Sequence, residues 1–354
     1  AKTGEVYSLV TLPTYDNNLF VEPTDEAQDQ IQRLMDDPRK PFLNWALNPA
    51  APGSTFKIVT ASAALQEGLI TPSTTQYAPK VLEVKGENGQ LYPLIDWRDH
   101  GGSLNLYQAI AWSSNIYFFR SSCGILGQTP GLSKKSGATY DDAVILGNYA
   151  REYGFGAITG IDLDGEATGR VPSPEWKRRN YSGAEYSETD RDWFYGDTCF
   201  MGIGQGDVLA TPLQVARMTA AVANGGQLVT PHIVTDIIDT EGNTVRHIQP
   251  GTKTVDVDAQ HLAEIREGMH QSVSYGAGAA AQIAGLDIAG KTGTAEFIDP
   301  ASGAKLEHAW FTGFYPFNDP EIVVTVYFDL GVGGVKAAPV AGKIFKYFSE
   351  NVQP

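Results

Sequence analysis

Three short apolar runs, 286–297, 309–315 and 322–330, are separated by Gly, Pro and Asp turns and follow a long stretch of mostly helical pattern. Runs of this length between turn residues read as strands, and consecutive ones joined by turns form an antiparallel meander. A final helix at about 339–348 follows, and an opening strand candidate at 5–10 is expected to complete the sheet. Strand, many helices, antiparallel strands, helix: this order predicts an α+β fold, an antiparallel sheet flanked by helices with a larger helical subdomain. A chain of 354 residues is comfortable as one large domain. It shows no internal repeat and no dividing linker, so residues 1–354 are read as a single domain.

Within the helical stretch, Pro52-Gly53 launches a strong helix from 54 to about 67, and Gly68 closes it at the expected C-terminal position. A helix at 104–112 stops at Ser113-Ser114-Asn115, after which 116–119 resumes an apolar face. Thr211 is a good N-cap, Pro212 suits the first helical position and Gln214 completes a capping box, so another helix runs to about 223. A further helix spans about 258–273. Residues 71–103 and 126–200 are expected to be the least regular, with Lys134-Lys135 and Lys177-Arg178-Arg179 as solvated charge runs.

Composition removes whole classes of function. Lys plus Arg total 26 against 41 Asp plus Glu, a formal net charge of −15. Sequence-independent nucleic-acid binding and a polybasic grip on anionic lipid both need the opposite balance. Two cysteines, Cys123 and Cys199, exclude a disulfide framework and a Cys-based zinc finger, and leave open whether they pair. No stretch approaches 18 consecutive apolar residues. Asp96, Asp99 and His100 invite a metal reading, but no convincing four-ligand set assembles around them. A solvated loop is the expectation there, with no metal and no cofactor.

The chemistry is carried by three short motifs. Ser54-Thr55-Phe56-Lys57 puts a hydroxyl and an amine three residues apart, on one face of the expected helix. A serine is a poor nucleophile until a base takes its proton, and a lysine whose pKa is lowered by burial can do so. Position adds to this, because free N–H groups at a helix start favour a developing oxyanion. The pattern also occurs at Ser302–Lys305, in an expected hairpin loop where the two cannot share a helix face. Ser-x-Asn occurs at 103–105, 113–115 and 349–351, and Lys-Thr-Gly at 2–4 and 291–293. Context selects Ser113–Asn115, which interrupts an apolar helical run, and Lys291-Thr292-Gly293-Thr294, which lies along a strand where Gly293 permits close approach of a ligand backbone. Trp310 and Phe311, on the neighbouring strand, are expected in the core; Trp193 is a candidate to flank a groove.

In this order the three motifs are the signature of penicillin-binding proteins and serine β-lactamases. Pro52–Lys57, Gly202-Ile203-Gly204-Gln205-Gly206, Ala210–Gln214 and His308–Gly313 extend the resemblance to class B penicillin-binding proteins, and the run 203–214 most resembles the elongation type, penicillin-binding protein 2. The resemblance implies a penicillin-binding-protein/serine β-lactamase-like fold and a peptidoglycan D,D-transpeptidase that cross-links stem peptides ending in D-Ala-D-Ala. It implies Ser54 as nucleophile and Lys57 as acylation base. Ser113 relays a proton to the leaving amine, Asn115 orients Lys57 and the donor amide, and Lys291 supplies positive potential. Thr292, Gly293 and Thr294 receive the substrate carboxylate that β-lactams imitate, and the N–H groups of Ser54 and Thr294 form the oxyanion hole. It further implies a partner of the SEDS class of membrane glycosyltransferases and work at the extracytoplasmic face of the bacterial membrane, with an N-terminal transmembrane anchor and pedestal domain expected ahead of this chain. A serine β-lactamase shares the acylating groups but needs a deacylating water, for which no convincing Glu-bearing loop motif is present. A β-lactam sensor would acylate as well, and only absence of turnover on stem peptides separates it.

Overall fold

The computed structural model describes residues 1–21, 24–85, 90–126, 128–135, 137–299 and 302–352. Helix α1 (Asp25–Met35) comes first, and a 3-10 turn, Gly53–Phe56, runs directly into α2 (Lys57–Gln66). Strands β1 (Gln76–Tyr77), β2 (Val81–Lys85), β3 (Leu91–Ile95) and β4 (Ser103–Leu104) form two antiparallel ladders, β1 with β4 and β2 with β3. The helical part continues with α3 (Leu106–Trp112), α4 (Asn115–Ser122), α5 (Thr139–Glu152), α6 (Pro174–Asn180), α7 (Tyr195–Gly202) and α8 (Pro212–Ala223). Strands β5 (Gln227–Val229), β6 (Asp236–Ile238), β7 (Thr244–His247) and β8 (Thr252–Thr254) make two more small ladders, β5 with β8 and β6 with β7. Helix α9 (Ala259–Ser274) then leads to the main sheet, β9 (Ala289–Ile298), β10 (Lys305–Tyr315) and β11 (Ile322–Phe328), and α10 (Ala337–Asn351) ends the described chain.

The meander is antiparallel with β10 in the centre, Trp310 opposite Gly293 on one side and Tyr327 on the other. Alternation along β10 divides the core. Trp310 and Phe314 join the large cluster built around α2, while Phe311 joins a smaller cluster with Phe345 and Ala341 of α10. Thr312, on the α2 side, exchanges a 2.7 Å hydrogen bond with Thr219 of α8. Helix α2 is buried from Ile58 to Leu65 on every side, the pattern of a central helix rather than an amphipathic one. Lys57, at its first position, is therefore buried too.

Several expectations change. Residues 5–10 do not complete the sheet: Glu5 makes an isolated bridge to His232, Val6 donates to the same carbonyl, and Tyr7 and Val10 are exposed. β-Prone residues allow an extended chain, but a strand also needs a partner in register, and this segment meets His232 instead. Of the stretches expected to be irregular, residues 86–89, 127 and 136 lie outside the described residues. The rest of 126–200 holds α5, α6 and α7. Helix α5 carries Asp141 and Asp142 in its first turn and Arg151 in its last, matched to the helix dipole. The run Lys177-Arg178-Arg179 is the last turn of α6, and Lys177 is not solvated: it pairs with Asp197 at 2.7 Å with its side chain 12% exposed. The capping box at Thr211 and Gln214 forms as expected. Cys123 and Cys199 are joined by a disulfide that ties the end of α4 to α7. Among the described residues no helix is long and apolar enough to cross a membrane.

Candidate active site

Ser54 sits in the 3-10 turn and Lys57 opens α2, so the two stand on one continuous helical segment whose first turn is tighter than α. Ser54 is half-buried. Gly53 precedes it with φ +52°, a conformation costly for any side chain, and a methyl group there would lie 2.4 Å from the Thr294 carbonyl oxygen. The strand side is equally tight: a methyl on Gly293 would lie 2.8 Å from the Pro52 carbonyl oxygen and 2.9 Å from Thr55 Cγ2. Glycine on both sides thus lets the start of the Ser54 helix press against strand β9. Gly53 N also donates to the Gly204 carbonyl at 2.9 Å, which seats the 202–206 loop against the same turn.

The second motif closes the site from the other side. Helix α3 ends at Ser113, which adopts a left-handed conformation (φ 56°, ψ 41°), and Ser114 caps the N-terminus of α4. That sharp break between helices aims both ends of the turn at Lys57. The Lys57 ammonium donates to the Ser113 carbonyl at 2.7 Å, to Ser113 Oγ at 3.3 Å and to Asn115 Oδ1 at 2.7 Å. Among the described residues no hydrogen bond joins it to the Ser54 hydroxyl. Burial lowers the Lys57 pKa to about 7, opposed by the carboxylate of Asp96. At neutral pH a large fraction of this amine is unprotonated and able to accept a proton.

Strand β9 brings the third motif. Lys291 is fully buried and donates to the Thr292 carbonyl at 3.0 Å; burial holds its pKa well below the ordinary range, and the charge of Lys57 adds to this. Thr292 is buried and Thr294 half-buried, its Oγ1 accepting from Gly333 N at 3.3 Å. Trp310 Nε1 donates to the Ala51 carbonyl at 2.9 Å, fixing the sheet to the segment before Ser54. Ser54, Lys57, Ser113, Asn115, Lys291, Thr292, Gly293 and Thr294 therefore converge from one helix start, one interhelical turn and one strand. Trp193 is partly buried against the main core and donates to Thr198 Oγ1 at 2.8 Å.

The competing copies of the motifs lie elsewhere. Ser302 bonds Asp299 in the β9–β10 turn, and Lys305 pairs with Glu296 at 2.8 Å. Asn105 caps α3. Lys2 pairs with Asp319 at the surface.

One residue near the site was misread as part of a solvated loop. Asp96 is fully buried, with Ser114 Oγ donating to its Oδ2 at 2.6 Å, Ile116 N donating to the same oxygen at 3.1 Å, and Trp97 N donating to Oδ1 at 2.8 Å. His100 Nε2 stands 3.3 Å away with its side chain 2% exposed. The β2–β3 ladder, whose second strand ends at Ile95, leads directly into this carboxylate, and no local motif announces it. Among the described residues no group of three His, Cys, Asp or Glu side chains is placed to hold a metal.

Comparison with known proteins agrees with this geometry. The family model described as the penicillin binding protein transpeptidase domain matches residues 1–346. The peptidoglycan D,D-transpeptidase MrdA of Haemophilus influenzae is 32% identical across 98% of this chain and 51% of its own length. The chain thus spans about half the length of the curated relatives it matches. Penicillin-binding protein 2 of Pseudomonas aeruginosa, solved in complex with WCK 5153, superposes with a TM-score of 0.78 at 30% identity, over 99% of this chain and 74% of that one. A chain of a peptidoglycan synthase complex superposes with a TM-score of 0.77 at 30% identity, over 100% of this chain and 55% of that one. Motif order, the convergence of the three motifs and a match over nearly the whole chain give one conclusion: the chain belongs to the penicillin-binding protein transpeptidase family, on its class B, penicillin-binding protein 2-like branch.

Proposed function

We propose that this chain is the catalytic part of a peptidoglycan D,D-transpeptidase working through a serine acyl-enzyme. The observation that carries the reading is the Lys57 amine, buried, tuned to about pH 7 and held by Ser113 and Asn115 one helical turn from Ser54. Ser54 Oγ bonds the carbonyl carbon between the two terminal D-alanines while Lys57 takes its proton. The Ser54 and Thr294 N–H groups receive the oxyanion. The C–N bond breaks, its nitrogen protonated through the Ser113 hydroxyl, and D-alanine leaves. The amine of a neighbouring stem peptide then attacks the ester, Ser54 recovers its proton and the cross-link remains. Lys291, Thr292 and Thr294 line the side where a substrate or β-lactam carboxylate docks, drawn by the two buried lysines, Lys57 and Lys291.

The disulfide supports work in an oxidising compartment outside the cytoplasm, where peptidoglycan is built. The relationship to a peptidoglycan synthase complex supports a membrane glycosyltransferase of the SEDS class as partner. Labelling with fluorescent penicillin followed by mass mapping tests the reading: one adduct on Ser54, abolished by Ser54→Ala and persisting for many minutes. An adduct on Ser302, or none, overturns the assignment; rapid release of the adduct assigns a β-lactamase instead.

A further inference from the structure

The middle residue of the Ser-x-Asn motif has no part in the chemistry proposed above, yet Ser114 is completely buried and its hydroxyl donates to Asp96 at 2.6 Å. The same carboxylate oxygen takes the N–H of Ile116 at 3.1 Å, so Asp96 grips the turn on either side of Asn115. Its backbone is fixed in turn, Asp96 N donating to the Lys80 carbonyl at 2.9 Å and Asn115 Nδ2 to the Ile95 carbonyl at 3.2 Å. The turn needs such a grip. Ser113 holds a left-handed conformation without being glycine, a strained state that persists only where its surroundings over-determine it. Charge points the same way: burial drives Asp96 toward the neutral acid, but His100, the Lys57 charge and Ser114 outweigh it and keep Asp96 ionised. Lys57 and Lys291 are both fully buried, and Asp96 is the carboxylate acting on Lys57.

We propose that Asp96 is a positioning residue for acylation: through Ser114 and Ile116 it locks the Ser113–Asn115 turn against Lys57, and it is the counter-charge of that buried lysine. This rests on the transpeptidase reading. The groups facing Lys57 are Ser113 and Asn115 from the interhelical turn, Lys291 from β9 and Asp96, with His100 behind Asp96.

The second-order rate of acylation by fluorescent penicillin, followed from pH 5.5 to 9, tests it beside thermal melting. Asp96→Asn keeps the shape and removes the charge. It is expected to slow acylation about 10- to 100-fold and to move the midpoint of the pH profile to lower pH, because the carboxylate favours the protonated amine. Ser114→Ala removes one grip and keeps the charge, so it is expected to slow acylation several-fold with the midpoint unmoved. Asp96→Glu, which restores the charge, is expected to return the midpoint toward wild type. A wild-type rate and midpoint in Asp96→Asn overturns the proposal, as does a slower rate with lower melting temperature and an unmoved midpoint, which marks a merely structural residue. A midpoint that vanishes in His100→Gln assigns the titration to the histidine and overturns it as well. If Asp96→Asn does not fold, Ser114→Ala decides: unchanged acylation, or a loss that comes with a lower melting temperature, overturns the proposal, and a several-fold loss at the wild-type melting temperature supports it. Failure of the wild-type protein to label at Ser54 removes the transpeptidase reading itself and this proposal with it, an outcome distinct from all of these.

Discussion

Lys57 shows how one buried position becomes chemistry. A lysine in water stays protonated near neutral pH, and here desolvation brings its pKa to about 7 while Ser113 and Asn115 hold the amine in place. Below that value the amine is protonated and accepts nothing. Acylation is therefore expected to rise with pH through about 7, losing about tenfold per unit well below it, as a pH series of penicillin acylation rates would read. Lys57→Arg keeps a cation that cannot deprotonate, and a loss of about 10²–10⁴-fold in acylation is expected from the same measurement. At this scale the sequence was informative about identity and silent about setting. The motifs that hold Ser54, Lys57, Ser113 and Lys291 were legible because each obeys a short spacing. Asp96 was not, because its burial is produced by the β2–β3 ladder and the α3–α4 break, neither of which leaves a mark at residues 96–100.

Elements decide how closely those groups meet. Strand β9 and the Ser54 turn approach so tightly that Gly293→Ala would bring a methyl within 2.8 Å of the Pro52 oxygen and 3.0 Å of Trp310 Cβ. Backbone must move to relieve this, so a stability loss of about 1–3 kcal/mol is expected, read by denaturant unfolding, together with a large fall in acylation. Helix α8 tests the local signals. Thr211 caps it, Gln214 closes the box, and Gln214 Nε2 also reaches the Ala157 and Thr168 carbonyls at 2.7 and 2.8 Å. Thr211→Ala is expected to cost about 1 kcal/mol, measured in the same unfolding series. Helices with capping boxes or a Gly stop were readable in advance. Helices α5, α6 and α7 were not, since their apolar faces are short and the surrounding turns are rich in Gly, Pro and Asp. The 5–10 segment failed for the opposite reason: its residues are β-prone, but they make one isolated bridge, Glu5 to His232, and join no ladder.

At the scale of the molecule, a sheet covered by α10 on one face and by the α2 cluster on the other places strand β9, which carries the Lys-Thr-Gly motif, at the boundary of the two cores. The disulfide adds a covalent tie between the helix that follows Ser113–Asn115 and the helix that precedes the 202–206 loop. Closing a loop with 76 residues of separation removes chain entropy worth about 4 kcal/mol in the unfolded state. The double variant Cys123→Ser/Cys199→Ser is expected to melt several degrees lower in a thermal scan, and reductant to lower the wild type but not the variant. Net charge was a poor guide here: the chain carries −15, yet its site is built on two lysines with no exposed surface.

By itself the sequence determined the order and chemistry of the three motifs, the meander, the capped helices and the family to which they belong, because those depend on residue type and short spacing. Tertiary structure alone decided how closely the selected motifs meet, the pairing of Cys123 with Cys199, and the burial of Asp96 beneath the Ser113 turn. Those outcomes depend on long-range packing, in which residues distant in sequence are brought within hydrogen-bond distance by contacts that no local pattern records, as where Lys57 meets Ser113 at 2.7 Å and Trp310 meets Ala51 at 2.9 Å, at sequence separations of 56 and 259.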